Sequence, residues 1–336
     1  MSLFPYDWRI ADGYPAKGVG HHGAKVFGTF VCGGGSTMGY KLAGYDHRGG
    51  VEIDPKIAAV YKANHTPAHL YVEDIRAFNA RADLPEELYN LDLLDGSPPC
   101  SSFSMAGSRE KDWGKSKVFS EGQQKQRLDD LVFEYIKTIE KLQPKVALLE
   151  NVKGLIMGNA KSYAKKLKVR FEEAGYRVQV FLLNAASMGV PQRRERVFFI
   201  GLRKNIKAPP LKLAFKGESI PFSSVDAGEV AHRPLSELAR RYWRAAKPGD
   251  SVGKFAEKKK VVGDVACGTL TAQGVKYHHK HCRELVRDEI IEIGSYPTDY
   301  GFLDVKPSWL VGMSVPPVMA AQIAHQINIQ WLRATA

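Results

Sequence analysis

At 336 residues with 44% hydrophobic content, the chain can bury one large core, or a large and a small one, and a low-complexity or repeat-built protein is excluded. Its net charge of +12 points to a polyanionic partner. No N-terminal apolar run has the form of a secretion signal, no stretch nears the roughly 18 apolar residues of a membrane span, and Cys32, Cys100, Cys267 and Cys282 form no C-x-x-C pair, so a cytoplasmic protein without membrane segment, metal centre or disulfide framework is expected.

Residues 1–23 carry no clear period and read as an irregular lead-in. The apolar run 24–31 enters Gly33-Gly34-Gly35, after which Met38, Leu42 and Ala43 recur at helical spacing: strand, glycine turn, helix. A second strand near Val51-Glu52-Ile53 ends in acids and precedes a helix bearing Ile57, Val60 and Tyr61. A third, 69–72, leads to Glu73-Asp74-Ile75. The fourth, 91–95, opens into Gly96-Ser97-Pro98-Pro99-Cys100, where the prolines exclude both helix and central strand. Residues 101–125 read as a polar loop, followed by a helix carrying Leu131, Tyr135 and Ile139. A fifth strand, 146–149, terminates at Glu150-Asn151-Val152, and a helix follows to about residue 174. Segments 178–183 and 197–202 are joined by too short a loop for a crossover, so they are expected to pair antiparallel, with the arginines of Gln192-Arg193-Arg194-Glu195-Arg196 in the hairpin turn.

This alternation defines an α/β, Rossmann-like fold: a mostly parallel sheet with helices on both faces and an antiparallel terminal hairpin. Prolines break the pattern over 204–304, which reads as a second, smaller domain, the larger one comprising 24–203 plus 305–336. The basic excess concentrates at this junction: residues 203–260 hold 14 Lys/Arg against 6 Asp/Glu. After Pro307, Val318, Met319, Ile323, Ile327 and Trp331 form an apolar helical stripe expected to pack back on the first domain.

In such sheets ligands sit beyond the carboxyl ends of the strands. Gly34 and Gly35 let backbone approach a ligand, and Glu52 at the end of the second strand suits a ribose diol. That pair alone also fits a nicotinamide dinucleotide site or a plain structural turn. Cys100, fixed by two prolines before a polar loop, reads as an accessible thiol, the bland alternative being a buried inert cysteine. Glu150 ends the neighbouring strand, so a carboxyl and a thiol share one crevice. The adjoining arginines could equally be a surface ion-pair group.

Taken together, these segments resemble the DNA (cytosine-5) methyltransferases, with wording similar to phage and bacterial members. The resemblance rests on residues 30–39, Glu52-Ile53-Asp54, Gly96-Ser97-Pro98-Pro99-Cys100, Glu150-Asn151-Val152, Gln192-Arg193-Arg194-Glu195-Arg196 and Val311-Gly312-Met313-Ser314-Val315-Pro316, in the family's order. Cys32, Ser101 and Met313 depart from the family's usual glycine, glutamine and asparagine. The resemblance implies S-adenosyl-L-methionine held by Phe30, Gly34, Gly35, Glu52, Ile53, Asp74, Ile75, Ser97, Ser314 and Val315. It implies Cys100, Glu150, Arg194 and Arg196 as catalytic residues, 204–304 as the target-recognition domain, and a monomer acting on double-stranded DNA, as in restriction-modification. Cytosine would be flipped from the duplex and attacked at C6 by Cys100. A tRNA cytosine-5 methyltransferase is the alternative within the same chemistry. An enzyme of free pyrimidine nucleotides, or an inactive DNA-binding relative, fits the basic insert or the retained residues less well.

Overall fold

The computed structural model describes residues 3–99, 130–252, 258–272 and 274–333. Cys100 and the 101–125 loop lie outside the described residues. The expected strand-helix units follow in order: β1 (Lys25–Thr29) and α1 (Gly35–Leu42), β2 (Asp46–Glu52) and α2 (Pro55–His65), β3 (His69–Val72) and α3 (Ile75–Ala80). β4 (Leu93–Gly96), α4 (Leu131–Leu142), β5 (Val146–Val152), α5 (Lys161–Glu173) and β6 (Tyr176–Asn184) continue the chain. Beyond them lie β7 (Gln192–Arg193), β8 (Glu195–Arg203), α6 (Glu237–Ala245), β9 (Cys267–Gly268), α7 (Arg287–Ile293), α8 (Pro307–Met313) and α9 (Pro317–Ile327).

One sheet of seven strands has the order β3-β2-β1-β4-β5-β8-β6. It is parallel from β3 through β5, while β8 runs antiparallel to both β5 and β6. Strand order reverses between β1 and β4, so the loops leaving these neighbours part and open a crevice at their carboxyl ends. Alternation along β5 sends Val146 and Leu148 to one face, packed with Met38 of α1 and Met319 and Ile323 of α9, as the C-terminal stripe implied. Ala147 and Leu149 face the other way, against Ile136 of α4 and Leu167 and Phe171 of α5. Tyr135 Oη lies 2.9 Å from the Leu94 carbonyl and 2.7 Å from that of Leu148, fastening the helix across the two strands that lead to the site.

Three boundaries differ from expectation, each because a partner satisfies groups that read as loop. β2 begins at Asp46, where Arg48 pairs with Asp46 at 2.6 Å and with Glu87 at 3.3 Å and His47 bonds the Tyr61 hydroxyl at 2.6 Å. β5 continues through Glu150 to Val152 because β8 pairs with it residue for residue. The arginines do not crowd a hairpin turn: Gln192 and Arg193 form β7, which pairs with β9 a long way along the chain, and Glu195 already opens β8.

The lead-in is built into the core. Phe4 is fully buried, Trp8 Nε1 donates to the Ser295 carbonyl at 3.0 Å, and the Ile10 and Ala11 amides donate to Asp299 at 2.8 and 2.9 Å. Within 204–304, Leu235, Val252 and Tyr277 make a small separate core under α6, while Ile291, Ile293, Tyr296 and Tyr300 belong to the large one. Among the described residues no helix is long and apolar enough to cross a membrane.

Candidate active site

The loop after β1 is shaped by backbone that most side chains avoid. Phe30 and Cys32 adopt left-handed φ values of 57° and 48°, and Gly34, the N-cap of α1, has φ 78°. A Cβ on Gly34 would lie 2.1 Å from His65 Nε2, and one on Gly35 would lie 2.2 Å from the Val315 carbonyl oxygen. Only glycine permits these approaches, and the second brings the far end of the chain onto the first loop. Ser314 is buried there, donating to the Leu310 carbonyl at 2.7 Å and accepting from the Tyr296 hydroxyl at 2.6 Å. Tyr300 Oη donates to the Gly33 carbonyl at 2.5 Å. Tyr296 and Tyr300 were not read from the sequence; two aromatics in an aperiodic stretch gave no sign of reaching a loop so distant in the chain.

Glu52, half-buried at the end of β2, accepts from the Cys32 amide at 2.9 Å and the Asp54 amide at 3.0 Å, one to each carboxylate oxygen. An ionised carboxylate has about four acceptor positions, so its backbone amides do not exhaust it. Burial pushes this carboxyl up to about 7, against the opposing pull of its amide partners. Asp54 instead caps α2, accepting from Lys56 and Ile57 amides at 2.8 and 3.3 Å. Asp74 caps α3 through the Arg76 amide at 2.8 Å. Ile75 is buried beneath it, and Phe30, Ile53 and Ser97 are partly accessible around the same strand ends.

On the other side of the crevice Glu150 is 8% exposed and meets Arg196 Nε at 2.9 Å. Burial raises its carboxyl above the ordinary range, while Arg196 and Arg194 pull it down. Asn151, also buried, donates from Nδ2 to the Pro98 carbonyl at 3.3 Å and accepts from the Val152 amide at 2.9 Å, tying β5 to the segment that leads into Cys100. Arg194 points inward, 1% exposed, with Nη1 on the Leu270 carbonyl at 2.8 Å and Nη2 on that of Gly312 at 3.0 Å. Gln192 bridges similarly, donating to Ile293 at 3.2 Å and accepting from the Leu270 amide at 3.1 Å. Cys32 and Cys267 are both pushed up to about 12, chiefly by burial, so neither thiol ionises near neutrality.

Asp226, His278 and His279 form a group of metal-ligand type. Its hydrogen bonds oppose a metal. His278 Nδ1 accepts from the Lys280 and His281 amides, each at 3.0 Å, so the ring proton sits on Nε2 and is donated to Asp226 Oδ1 at 2.8 Å. A metal-bound imidazole needs that lone pair free and its other nitrogen protonated.

The sheet order, the crevice and the glycine loop define a Rossmann-like methyltransferase fold. Solved structures agree: a prophage-encoded protein of E. coli assigned to the DNA modification methyltransferases superposes with TM-score 0.73 at 18% identity, covering 91% of this chain and 99% of that one. Spodoptera frugiperda DNMT2 superposes with TM-score 0.65 at 16% identity, covering 90% and 99%. The family model described as C-5 cytosine-specific DNA methylase matches residues 25–266, and the chain belongs to that family. The type II methyltransferase M.NgoPII of Neisseria gonorrhoeae is 35% identical over 58% of this chain and 52% of its own length. M.FnuDI of Fusobacterium nucleatum is 38% identical over 65% of this chain and 53% of its own, so these two alignments span about half the relatives' length. M.DdeI of Desulfomicrobium norvegicum is 32% identical over 90% of this chain and 88% of its own.

Proposed function

We propose that this protein is an S-adenosyl-L-methionine-dependent DNA (cytosine-5) methyltransferase working through Cys100, Glu150 and Arg196. The observation that carries the reading is the ion pair between buried Glu150 of β5 and partly buried Arg196 of the neighbouring β8, next to Asn151, which bonds Pro98 two residues before Cys100 in the sequence. The named relatives are type II DNA methyltransferases, which favours DNA over the tRNA alternative.

The residues around the first loop suit a nucleoside cofactor. Glu52 has acceptor positions beyond the Cys32 and Asp54 amides, and Gly34 and Gly35 allow the close approach of His65 and Val315 that shapes the loop beside it. Phe30, Ile53, Asp74, Ile75, Ser97, Ser314 and Val315 would complete the enclosure. The cofactor supplies a methyl group on a sulfonium, to be taken by carbon.

Cytosine C5 is a poor nucleophile, and the chain's residues supply what it lacks. Cys100 as thiolate adds to C6, and Glu150, whose carboxyl burial raises while Arg196 and Arg194 lower it, hands a proton to N3; the C5–C6 bond's electrons then reside at C5, which takes the methyl group. Loss of the C5 proton to a base drives out the thiolate, N3 returns its proton to Glu150, and the ring is restored. Arg196 holds Glu150 in place and offers positive charge to O2. Arg194 acts indirectly, as a positioning residue: its guanidinium joins the Leu270 and Gly312 carbonyls and leaves its field on Glu150. Residues 204–304 would read the duplex, and the target base would leave the stack to reach the crevice, at a cost of about a few kcal/mol. We propose a monomer in the cytoplasm of a bacterium or phage-infected host.

Duplex DNA treated with the protein and cofactor, digested to nucleosides and analysed by mass spectrometry, should contain 5-methylcytosine. Methyl transfer to tRNA with none to DNA would overturn the substrate class.

A further inference from the structure

Helix α6 packs one side on the small core and carries an apolar pair on its outer side as well. Ala239, Trp243 and Ala246 face the small core of Leu235, Val252 and Tyr277, whereas Leu238, Arg241, Tyr242 and Ala245, at i, i+3, i+4 and i+7, are all exposed. Leu238 is 61% exposed and Tyr242 37%, an apolar pair one turn apart that burial against the other described residues does not use. Around them the charge is one-sided. Arg233, Arg241, Arg244 and Lys247 are exposed with no acidic partner among the described residues, and Glu237 is the helix's one acid.

The helix is nonetheless held firmly. Ser236 caps its start through the Ala239 amide at 3.3 Å, and Arg240 Nε donates back to the Leu235 carbonyl at 2.9 Å. Trp243 Nε1 donates to the His278 carbonyl at 2.8 Å; Lys260 lies over the indole at 3.7 Å and donates to the Ala246 carbonyl at 3.1 Å. A rigid helix with arginines around an unused apolar pair is complementary to duplex DNA, whose major groove admits one helix between two phosphate rails.

The geometry points to α6 as a base-reading helix of the recognition region, with Arg241, Leu238 and Tyr242 directed at base edges and Arg233, Arg244 and Lys247 at the flanking phosphates. This rests on the DNA reading above and adds to it the element that sets sequence preference. Arginine suits the acceptor pair of guanine, and the leucine and tyrosine suit a thymine methyl.

Selection of bound sequences from a random duplex pool tests this without requiring turnover. The wild type should enrich a consensus, and the R241A/Y242A double variant should lose at least one of its positions. The double variant's cognate-to-random affinity ratio should fall at least tenfold, about what one base contact contributes. Its melting temperature should stay unchanged, because neither side chain is buried. R244A and K247A should keep the consensus, weaken all duplexes alike, and each lower the salt slope by about 0.9. An unchanged consensus and ratio in the double variant overturns the assignment, as does a wild type that enriches nothing. Failure of the DNA methylation reading shows separately, as absence of 5-methylcytosine in duplex treated with the wild type.

Discussion

Glu52 accepts from the Cys32 and Asp54 amides, and burial pushes its carboxyl up to about 7. Ribose hydroxyls donate best to the ionised form, so cofactor binding should expel a proton and tighten as the pH rises from about 6 to about 8. Calorimetry should show that trend in the wild type and a flat profile in Glu52→Gln, while Glu52→Ala should weaken binding by about 1.5–3 kcal/mol. A wild-type affinity independent of pH would place the ribose elsewhere. Asp95 makes a separate statement about stability. It is buried beside Tyr40, whose hydroxyl donates to it at 2.9 Å, and burial, with Glu150 adding like charge, lifts its carboxyl to about 7. A carboxyl raised in this way keeps its proton longer in the fold than in the unfolded chain, so its contribution to stability falls as pH climbs from about 4 through about 7. Urea unfolding at pH 5 and pH 8 should show the wild type losing on the order of 3 kcal/mol more than Asp95→Asn over that interval. Parallel losses would mean that Asp95 ionises freely.

Among the elements, the β7–β9 pairing and Arg194 join the two halves of the chain. Arg194→Ala would strand two buried carbonyls, and denaturant unfolding should register a loss of about 2–4 kcal/mol. A loss under about 0.5 kcal/mol, the scale of an ordinary surface substitution, would show that Arg194 is not a clamp. Asn151→Ala should leave cofactor binding intact and lower kcat, since what it removes is the tie to Pro98. This pairing was also where sequence reasoning fell short. Periodicity locates strands that bury one or both faces, and β1, β3, β4 and the β6–β8 pair emerged on that signal. It is silent on β7 and β9, two residues each, whose partners lie far apart in the chain. It also missed the polar start of β2, because His47 and Arg48 find their partners only in three dimensions. The lead-in looked structureless for the same reason: Trp8 and Asp299 are joined to partners about 290 residues away.

At the scale of the molecule, the placement of carboxyl groups at strand ends, Glu52 on β2 and Glu150 on β5, was legible in the sequence, and the contacts that support them were not. Nothing local in the sequence marks Tyr296, Tyr300 or the inward turn of Arg194, which depend on the C-terminal segment folding back over the first loop. The basic excess over 203–260 is likewise a property of the whole. If Lys207, Lys212 and Lys216 contact phosphates, neutralising all three should flatten the logarithmic salt dependence of DNA binding by about 0.9 per contact; an unaltered slope would make them solvated surface. The central claim is the covalent step, and fluorine at C5 isolates it, because elimination requires loss of the C5 hydrogen. With cofactor and 5-fluorocytosine in a cognate duplex, the wild type should form a denaturant-resistant complex whose cross-linked peptide contains Cys100, and Cys100→Ala should form none while still binding DNA. An adduct at Cys32, Cys267 or Cys282, or full methylation by Cys100→Ala, would contradict the account.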